Sequence, residues 1–568
     1  MKDSKCVVLV PSAKFVDTSL TPRFGEINSC LVPLGGMPLL SLNYLVHWRR
    51  AKAIYVLVEE GIEQVNHLVQ HLGPNINTVD VTGTSSLSET IYRGLAKVEE
   101  DRLLDHRLVV NYGDTYLDDC DILQHLDAKN IAFTSSVMDS SRWAIINLSG
   151  NGLDIIEKKK GLQNIDLYAP FDALIGFFVF QSGQILKQYL TPKLSTQISD
   201  LNFYQSLSAM HADSMLFTIN TDKWLDIGHA DEYDAARTRI APRFFNQVSI
   251  DHRRGTVTKH SDDISTLSRE IEWYQNLPEE IKYVAPRFFY SQLLPRPSYT
   301  IEYVPYETMH ELFVYGNHSP ASWSNMLENM FLLLEEMHSF TKMVSPELYA
   351  SAIQKMYVNK SITRLKKYLK NAAFDVDKSI EINGTQYLSI SKILDIITSL
   401  PLISKESHFS VIHGDLCFSN ILYNHSTNTI RLIDPRGEFG SISGVWGDKY
   451  YDYAKLAHSA VGHYDLIIAD RFSVARDGNT IHLILEATTT HELTGKFYLE
   501  RLYASCIDVK WVRTIEGLLF LSMLPLHSDQ PKRQLAMFAN GVRLLSKYRE
   551  PLNQSLTSSI DLPLCPIG

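Results

Sequence analysis

Cysteine is scarce in this sequence, and its spacing builds no recognisable framework. Six cysteines are spread over 568 residues, and no two of them form a C-x-x-C pair. This pattern argues against a zinc site and against a disulfide network, and it suits a reducing compartment. We therefore expect a cytoplasmic protein.

Long apolar runs and an excess of positive charge are also missing. No apolar segment approaches the roughly 20 residues of a membrane-spanning helix, so we expect no membrane insertion. The net charge is −10, and without a basic stripe the chain is not expected to bind nucleic acid. The length requires at least two domains, because single cores rarely grow beyond about 250–300 residues.

The first part of the chain alternates short apolar strands with helical patterns. Continuous apolar strands separated by helices are typical of a mostly parallel sheet that is covered on both faces. The sequence therefore predicts an α/β, Rossmann-like domain over residues 1–240. The predicted strands are 6–10, 53–60, 107–114 and 131–137, and the clearest predicted helix is 39–51.

The pattern changes near residue 241. Segments 243–251 and 255–261 predict a β-hairpin, a helix follows at 268–277, and 298–304 predicts another strand. From about residue 319 the pattern is mainly helical. We expect a second domain, 241–568, with a small β-rich lobe (241–312) and a large helical lobe (313–568).

The strongest motif is HGDLCFSN at 413–420, followed by an apolar strand that ends in LIDPRG. Asp415 precedes Asn420 by five residues, and Asp434 lies fourteen residues beyond Asn420. Upstream, Lys259 lies on the second hairpin strand and Glu270 on the next helix. Phosphoryl transfer from ATP needs these parts: a carboxylate for the acceptor hydroxyl, an amide and a carboxylate for magnesium, and a lysine held by a glutamate.

This constellation resembles the aminoglycoside phosphotransferase and choline kinase family, from about residue 243 onward. The resemblance implies Asp415 as the catalytic base and Asn420 and Asp434 as ligands of Mg²⁺. It also implies Lys259 on the α/β-phosphates of ATP, oriented by Glu270.

Further roles follow from the same resemblance. His413 is expected beside the nucleotide, where it braces the loop, and Glu302 and Tyr303 are expected near the adenine. No glycine-rich loop precedes Lys259, and Glu272 competes with Glu270 for the lysine.

A later segment, WGDKYYDYAKLAH, leaves two readings open. Asp448 and Asp452 could border the acceptor pocket, as the family resemblance implies. Alternatively, both could be carboxylates that the macrodipole favours near the start of a helix.

The N-terminal domain carries a second set of motifs: VPLGGMPLL at 32–40, NYGDTYLDD around Asp114, IEKKKG with Glu157 and Lys158, and WLDIGHADEY around Asp226. This set resembles the sugar-phosphate nucleotidyltransferases, including choline-phosphate cytidylyltransferases, over about residues 5–239. The resemblance implies Asp114 and Asp226 as Mg²⁺ ligands, with Glu157 and Lys158 on the sugar phosphate. Both aspartates are predicted to end strands, and the carboxyl ends of parallel strands meet at one sheet edge.

The loop that should hold the triphosphate departs from that family. It reads VPSAKFVDTSLTPRFGEINSCLVP: the family's glycines are absent, and Ser29 stands where a lysine is expected. Arg23 is the best remaining phosphate ligand, because a guanidinium can bind two oxygens at once. Lys14 is the second candidate.

Together these motifs predict a bifunctional enzyme. A kinase would phosphorylate a small alcohol (choline, ethanolamine, glycerol, another polyol or a sugar) with ATP, and a transferase would join the product to a nucleotide, with CTP preferred. The product would be an activated precursor for a capsule, lipopolysaccharide or teichoic-acid-type polymer. Two alternatives stay open: a kinase with an inactive nucleotide-sensing domain, and a non-catalytic nucleotide-binding scaffold. A homo-oligomer is neither required nor excluded.

Overall fold

The computed structural model describes residues 6–118, 129–138, 142–149, 152–156, 170–194, 198–240, 247–292, 297–400 and 408–547. The chain forms two compact units. One comprises Met1–Phe244 with Tyr315–Asn317, and the other comprises Phe245–Val314 with His318–Gly568. Within the described ranges, every helix is too short or too polar to cross a bilayer.

The first unit contains, in its described residues, one large sheet and two small two-stranded sheets. Its strands are β1 (Cys6–Pro11), β2 (Pro33–Leu34), β3 (Met37–Pro38), β4 (Ala53–Val58), β5 (Ile76–Asp80), β6 (Arg107–Asn111), β7 (Thr115–Leu117), β8 (Asn130–Val137), β9 (Ile145–Ser149), β10 (Gly152–Ile156), β11 (Phe171–Phe180), β12 (Leu216–Asn220) and β13 (Trp224–Asp226). Its helices are α1 (Thr21–Phe24), α2 (Leu39–Asn43), α3 (Ile62–Leu72), α4 (Leu87–Glu100), α5 (Gly183–Leu194), α6 (Leu201–Ala212) and α7 (Ala230–Arg239).

The large sheet has the strand order β10-β9-β11-β6-β1-β4-β5, with β8 beside β11 and β12 beside β8. Strands β5, β4, β1 and β6 pair in parallel, whereas β11 is antiparallel to β6, β8 and β9. Strands β1 and β4 are buried along their whole length, as expected for strands covered by helices on both faces. The prediction of a mostly parallel α/β sheet is confirmed.

The second unit has many short strands. They are β14 (Gln247–Asp251), β15 (Thr256–His260), β16 (Phe288–Gln292), β17 (Ser298–Glu302), β18 (Glu307–Thr308), β19 (Thr341–Met343), β20 (Ser379–Ile382), β21 (Thr385–Ser389), β22 (His408–Val411), β23 (Ile421–Asn424), β24 (Thr429–Leu432), β25 (Glu438–Phe439), β26 (Ile442–Ser443), β27 (Trp446–Gly447), β28 (Phe472–Asp477) and β29 (Thr480–Leu485). The predicted hairpin is β14–β15, and it continues into a four-stranded antiparallel sheet of order β14-β15-β17-β16.

The rest of this unit is mainly helical, as predicted. Its helices are α8 (Ile264–Asn276), α9 (Met309–Tyr315), α10 (Pro320–Ser339), α11 (Pro346–Ile353), α12 (Lys360–Leu369), α13 (Ile390–Thr398), α14 (Lys449–Ala460), α15 (Tyr464–Ile468), α16 (Thr489–Ala504), α17 (Val509–Met523) and α18 (Pro531–Ser546). Helix α14 is buried from Tyr451 to Ala460 and packs against α16 and α17. A helix that is buried all round lies within a core, so α14 is a rigid support for whatever contacts it.

Two hairpins in the helical part were not predicted. Strands β20–β21 and β28–β29 combine into one four-stranded sheet. Asn383 and Gly384 form the first turn with φ of 51° and 80°, and Gly478 lies in the second turn with φ of 56°. The second turn is Gly478–Asn479, between the paired residues Asp477 and Thr480. Asn-Gly and Gly-Asn pairs favour two-residue hairpin turns, so the sequence did contain the signal.

One glycine of the large sheet is required by a close contact. Gly176 has φ of 74° and lies where the register between β11 and β8 shifts. A Cβ atom at this position would lie 2.5 Å from the ring of Tyr112. Gly83 in the same unit also has positive φ, 81°, but a Cβ atom there would meet nothing within 4 Å.

We therefore expect Gly176→Ala to lower the free energy of unfolding more than Gly83→Ala. The left-handed backbone costs an alanine about 1–2 kcal/mol at either site, and crowding at Gly176 adds about 1–3 kcal/mol. Urea titration of both variants measures the difference. Equal losses would show that Tyr112 moves aside without cost.

Candidate functional site

Lys259 lies between two carboxylates in the second unit. Strand β15 carries the lysine, and its Nζ is 2.7 Å from Glu270 Oε2 on α8 and 2.9 Å from Asp434 Oδ1. The Tyr299 hydroxyl donates to the same Glu270 oxygen at 2.9 Å. Burial disfavours the charged amine, but Asp434 and Glu270 raise the pKa of Lys259 above its ordinary value. Of the two glutamates left open by the sequence, Glu270 is the one that pairs with the lysine.

Asp415 is held by a lysine that the sequence analysis did not single out. Lys455 Nζ lies 2.7 Å from Asp415 Oδ1, and the Asn420 amide donates to the Asp415 main-chain oxygen at 2.8 Å. Packing around Asp415 works against ionisation, but Lys455 outweighs it and lowers the pKa of Asp415 to about 2. The Asp415 side chain is 40% exposed. A carboxylate is therefore presented in its charged form to an incoming molecule.

The loop that carries Asp415 is braced from behind. Buried Asp452 on α14 accepts hydrogen bonds from the main-chain N–H groups of His413 and Gly414, each at 2.8 Å. The His413 ring accepts from Asp415 N at Nδ1 (3.3 Å), so its Nε2 donates to Ile433 O (3.0 Å). Burial lowers the pKa of His413, which keeps the ring neutral, as these two bonds require.

Asp448 and Asp452 both lie at the start of α14. Asp448 is the N-cap of α14, since its side chain accepts from Tyr450 N at 3.2 Å, and it also accepts from the Tyr357 hydroxyl at 2.7 Å. This matches the reading as a carboxylate at a helix start. Asp452 lies in the first turn of α14, so it matches this reading as well, and its buried side chain also supports the loop.

Asn420 and Asp434 are brought together by a short hairpin. Strands β23 and β24 pair so that Ile433 N donates to Asn420 O at 3.0 Å. Because the Asn420 amide nitrogen is engaged by Asp415, its amide oxygen is oriented away from that contact, where Ser419 donates to it at 3.3 Å. An amide oxygen beside a carboxylate is the donor set that Mg²⁺ prefers, so these residues fit the expected metal.

The predicted adenine segment lies at the end of β17. The N–H of Glu302 donates to Arg287 O at 2.9 Å, and the N–H of Tyr303 donates to Gly255 O at 2.8 Å. Both donors are therefore engaged within the small lobe, and adenine recognition by these two N–H groups would require them to change partners. A cavity of about 570 Å³ adjoins Glu302 on the β16 side.

In the first unit, Asp114 and Asp226 come together as the sequence analysis expected, but by a different route. Asp226 ends β13, which pairs antiparallel with β7 in a separate two-stranded sheet, with Asp226 opposite Thr115. Ile227 N also donates to Asp114 O at 2.9 Å. The expected convergence of two strand ends on the parallel sheet is therefore wrong for Asp226.

Asp114 and Asp226 flank a small space beside Gly228, and any larger residue at position 228 would fill it. A Cβ atom on Gly228 would lie 2.8 Å from Asp114 Oδ2 and 3.2 Å from Asp226 Oδ1. Desolvation and the negative charge of Asp226 raise the pKa of Asp114 to about 6. Two close carboxylates that repel each other are stabilised by a divalent cation, so this pair also fits Mg²⁺.

Asp226 has further polar partners around the same space. It accepts hydrogen bonds from Trp143 Nε1 at 2.8 Å, from Gly228 N at 2.7 Å and from His229 Nδ1 at 2.9 Å. The bond to Asp226 raises the pKa of His229. His229 and Trp143 were missed by sequence reasoning, although His229 occupies the position after the DIG motif.

Both cations of the unusual loop have carboxylate partners. Arg23 makes a two-pronged pair with Asp234 on α7, at 2.5 and 2.8 Å, and Lys14 Nζ lies 2.8 Å from Glu59. Ser29, which replaces the family lysine, lies 2.8 Å from the Ser12 hydroxyl. Either cation would have to leave its carboxylate to bind phosphate. Glu157 and Lys158 lie outside the described residues.

Residues 247–474 match the model of the phosphotransferase enzyme family. The predicted resemblance is confirmed over this segment. No curated protein matches the chain in sequence.

Two solved structures resemble part of the chain. CTP:phosphocholine cytidylyltransferase from Streptococcus pneumoniae is 14% identical with a TM-score of 0.33, covering 41% of this chain and 98% of its own. A nucleoside-diphosphate-sugar pyrophosphorylase from Vibrio cholerae is 13% identical with a TM-score of 0.30, covering 41% of this chain and 99% of its own.

Lys455 could have been found from the sequence. Asp448, Asp452 and Lys455 are spaced by four and three residues, which places them along one face of a helix. A lysine on the face that holds two carboxylates near the HGD loop is a candidate partner for Asp415.

We expect that Lys455→Met shifts the acidic limb of the pH–rate profile for ATP turnover to higher pH. Burial still raises the pKa of Asp415, the largest influence that lowers it is lost with the ammonium, and the pKa rises from about 2 to near its ordinary value of about 4. Because the ionised form is the active one, turnover at pH 4 falls to about half of that at pH 8 in this variant but not in Lys455→Arg. The measurement is ADP release from pH 4 to 8. Parallel profiles for both variants would contradict control of Asp415 by Lys455.

Proposed function

We propose that the second unit is an ATP-dependent kinase that phosphorylates a hydroxyl group of a small molecule. One observation carries this proposal: Asp415 is ionised and exposed on a loop that also presents Asn420 beside Asp434. The Lys259–Glu270 pair supports it, because a lysine held by a glutamate is the phosphate-binding device of such kinases. The family match over residues 247–474 agrees with the same chemistry.

The residues divide the reaction between them. Lys259 stays on Glu270 and turns from Asp434 to the phosphates of ATP, which frees Asp434 to hold Mg²⁺ with Asn420. Mg²⁺, when bound, neutralises charge on the phosphoryl group. Asp415 first orients the acceptor hydroxyl. With a pKa of about 2 it is a weak base, so it takes the proton late, when the bond to the leaving phosphate is largely broken.

We infer that the first unit transfers a nucleotidyl group to the alcohol phosphate that the kinase makes. The support is the pair Asp114 and Asp226 around the space beside Gly228. In-line attack of a phosphate on the α-phosphorus of a nucleoside triphosphate requires charge neutralisation at that point, and two carboxylates that bind Mg²⁺ provide it. CTP is the preferred nucleotide, and an activated precursor for a surface polymer is the preferred product.

One observation favours a second candidate for this unit, a nucleotide sensor without catalysis. Lys14 and Arg23 are both paired with carboxylates, and Ser29 hydrogen-bonds Ser12 where a lysine would bind phosphate. A site that binds nucleotide weakly and turns nothing over would tolerate such changes.

The two activities are expected to be separable, because the two residue sets share no member. With ATP, CTP, Mg²⁺ and an accepted alcohol, phosphorus NMR should show the nucleotide diphosphate ester in the wild type. Asp226→Asn should accumulate the alcohol phosphate, and Asp415→Asn should make neither product unless alcohol phosphate is supplied. Loss of both activities in each variant, with folding intact by circular dichroism, would point to one composite site.

Arg23 is the residue that decides between transferase and sensor. If Arg23 leaves Asp234 to bind the triphosphate, Arg23→Ala should lower nucleotidyl transfer at least about tenfold, a loss of roughly 1.4 kcal/mol, and Arg23→Lys should recover part of it. Kinase activity on the same preparations is the control. No pyrophosphate release by the wild type with any nucleoside triphosphate would favour the sensor.

A further inference from the structure

We propose that the kinase acceptor is an anionic alcohol, one that already carries a carboxylate or phosphate group in addition to the hydroxyl that is phosphorylated. This inference rests on the proposed kinase function and adds the class of its substrate. It replaces choline and ethanolamine, which are cations, as preferred acceptors. The reason is an excess of positive charge around Asp415.

Four basic side chains near Asp415 form the cluster: Lys360, Arg364, Arg436 and Lys455. Two of them, Lys360 and Arg364, lie one turn apart on α12. Lys360 Nζ is 3.4 Å from the Tyr451 hydroxyl and 5.9 Å from the centre of the Tyr451 ring. Arg364 Nη1 donates to the main-chain oxygen of Ser522 at 2.8 Å. Both side chains are half-buried. Among the residues that the structure describes, neither has a carboxylate within ion-pair distance.

The other two cations flank the catalytic loop. Lys455 binds Asp415 itself, as described above. Arg436 packs against Gly414, where a Cβ atom would lie 2.8 Å from Arg436 Cβ. The main-chain N–H of Arg436 donates to His413 O at 3.0 Å. The nearest carboxylate to its guanidinium is Glu438, at 3.5 Å from Nη2, and Glu438 is shared with Arg269 at 2.5 Å. The Nε atom of Arg436 is buried without a hydrogen-bond partner.

The charges of this cluster do not balance. Lys360, Arg364, Arg436 and Lys455 are all basic residues. Among the described residues, Asp415 is paired with Lys455, and Glu438, the carboxylate nearest to the Arg436 guanidinium, is also paired with Arg269. Burial lowers the pKa of Lys360 well below its ordinary value, and the positive charges of Arg436, Arg364 and Lys455 lower it further. Partly buried cations without counter-ions are costly, and a bound anion removes that cost.

The position of the cluster favours the acceptor over ATP. The charged groups that act on Lys360 are Arg436, Arg364, Lys455 and Asp415, whereas Lys259 is influenced by Asp434 and Glu270. Lys455 lies 2.7 Å from Asp415, and Lys360 contacts Tyr451 one turn before Lys455 on α14, so the cluster lies beside the carboxylate proposed to orient the hydroxyl. A quaternary ammonium would also find the Tyr451 ring already occupied by the Lys360 ammonium.

The local fold holds this arrangement in place. A π-helical turn, Gln354–Asn359, leads directly into α12. Within it, the Tyr357 hydroxyl donates to Asp448 at the start of α14, the helix that carries Tyr451 and Lys455. Turns of this kind are frequent at functional sites because they redirect side chains without breaking the helix.

The test uses the full chain with ATP, Mg²⁺ and acceptors in matched sets. Glycerol is compared with glycerate and glycerol 3-phosphate, glucose with gluconate and glucose 6-phosphate, and choline and ethanolamine are included. We expect kcat/KM to be at least about tenfold higher for an anionic member than for its neutral counterpart. Equal or better use of a neutral or cationic acceptor would overturn the inference while leaving the kinase proposal standing.

Variants of the cluster test whether it causes the preference for anionic acceptors. Lys360→Gln and Arg364→Gln should raise KM for the anionic acceptor at least about tenfold and leave KM for ATP within about twofold. Lys367→Gln, an exposed lysine of the same helix, is the matched control. A rise in KM for ATP instead would assign the cluster to the nucleotide and overturn the inference.

A binding measurement covers the case in which no acceptor of the panel is used. Inorganic phosphate should slow the hydrolysis of ATP by water in the wild type and in Lys367→Gln, and should act at least about tenfold more weakly in Lys360→Gln/Arg364→Gln. The same phosphate sensitivity in all three proteins would overturn the anionic site. No ATP turnover at all in the folded wild type would instead refute the kinase proposal.

Discussion

The arrangement of the kinase site depends on one buried carboxylate. Asp452 on α14 accepts the main-chain N–H groups of His413 and Gly414 and so fixes the loop that carries Asp415. One turn later on the same helix, Lys455 binds the Asp415 side chain. Because α14 packs against other helices, both contacts come from a rigid element, and the Asp415 carboxylate has little freedom to turn away.

The two units deal with carboxylates in opposite ways. In the second unit, Asp415 and Asp434 each have a lysine partner within 3 Å. In the first unit, Asp114 and Asp226 lie close together, and within the described residues no lysine or arginine is paired with either of them, although His229 bonds Asp226. The first arrangement fits the proposed orientation of a hydroxyl, and the second is one that a divalent cation would stabilise.

The loop of the first unit shows what replaces a lost phosphate ligand. Ser12, Asn28 and Ser29 form a compact hydrogen-bonded group, with Asn28 fully buried. This group stabilises the loop without positive charge, and the cations that remain are paired with carboxylates. In the proposed transferase, phosphates would have to bind Arg23 more strongly than Asp234 does.

The sequence by itself determined the order of motifs, the α/β character of the first unit and the phosphotransferase resemblance of the second, because these rest on local patterns and on short-range spacing. The tertiary structure alone decided which side chains meet. Lys455 reaches Asp415 across 40 residues of chain, and Lys360 and Arg364 join the cluster from a helix further away in sequence. The net charge of a site is the sum of the charges of residues from distant segments, and only the folded chain brings these residues together. The sequence therefore indicated a kinase but not the charge of the acceptor that we propose for it.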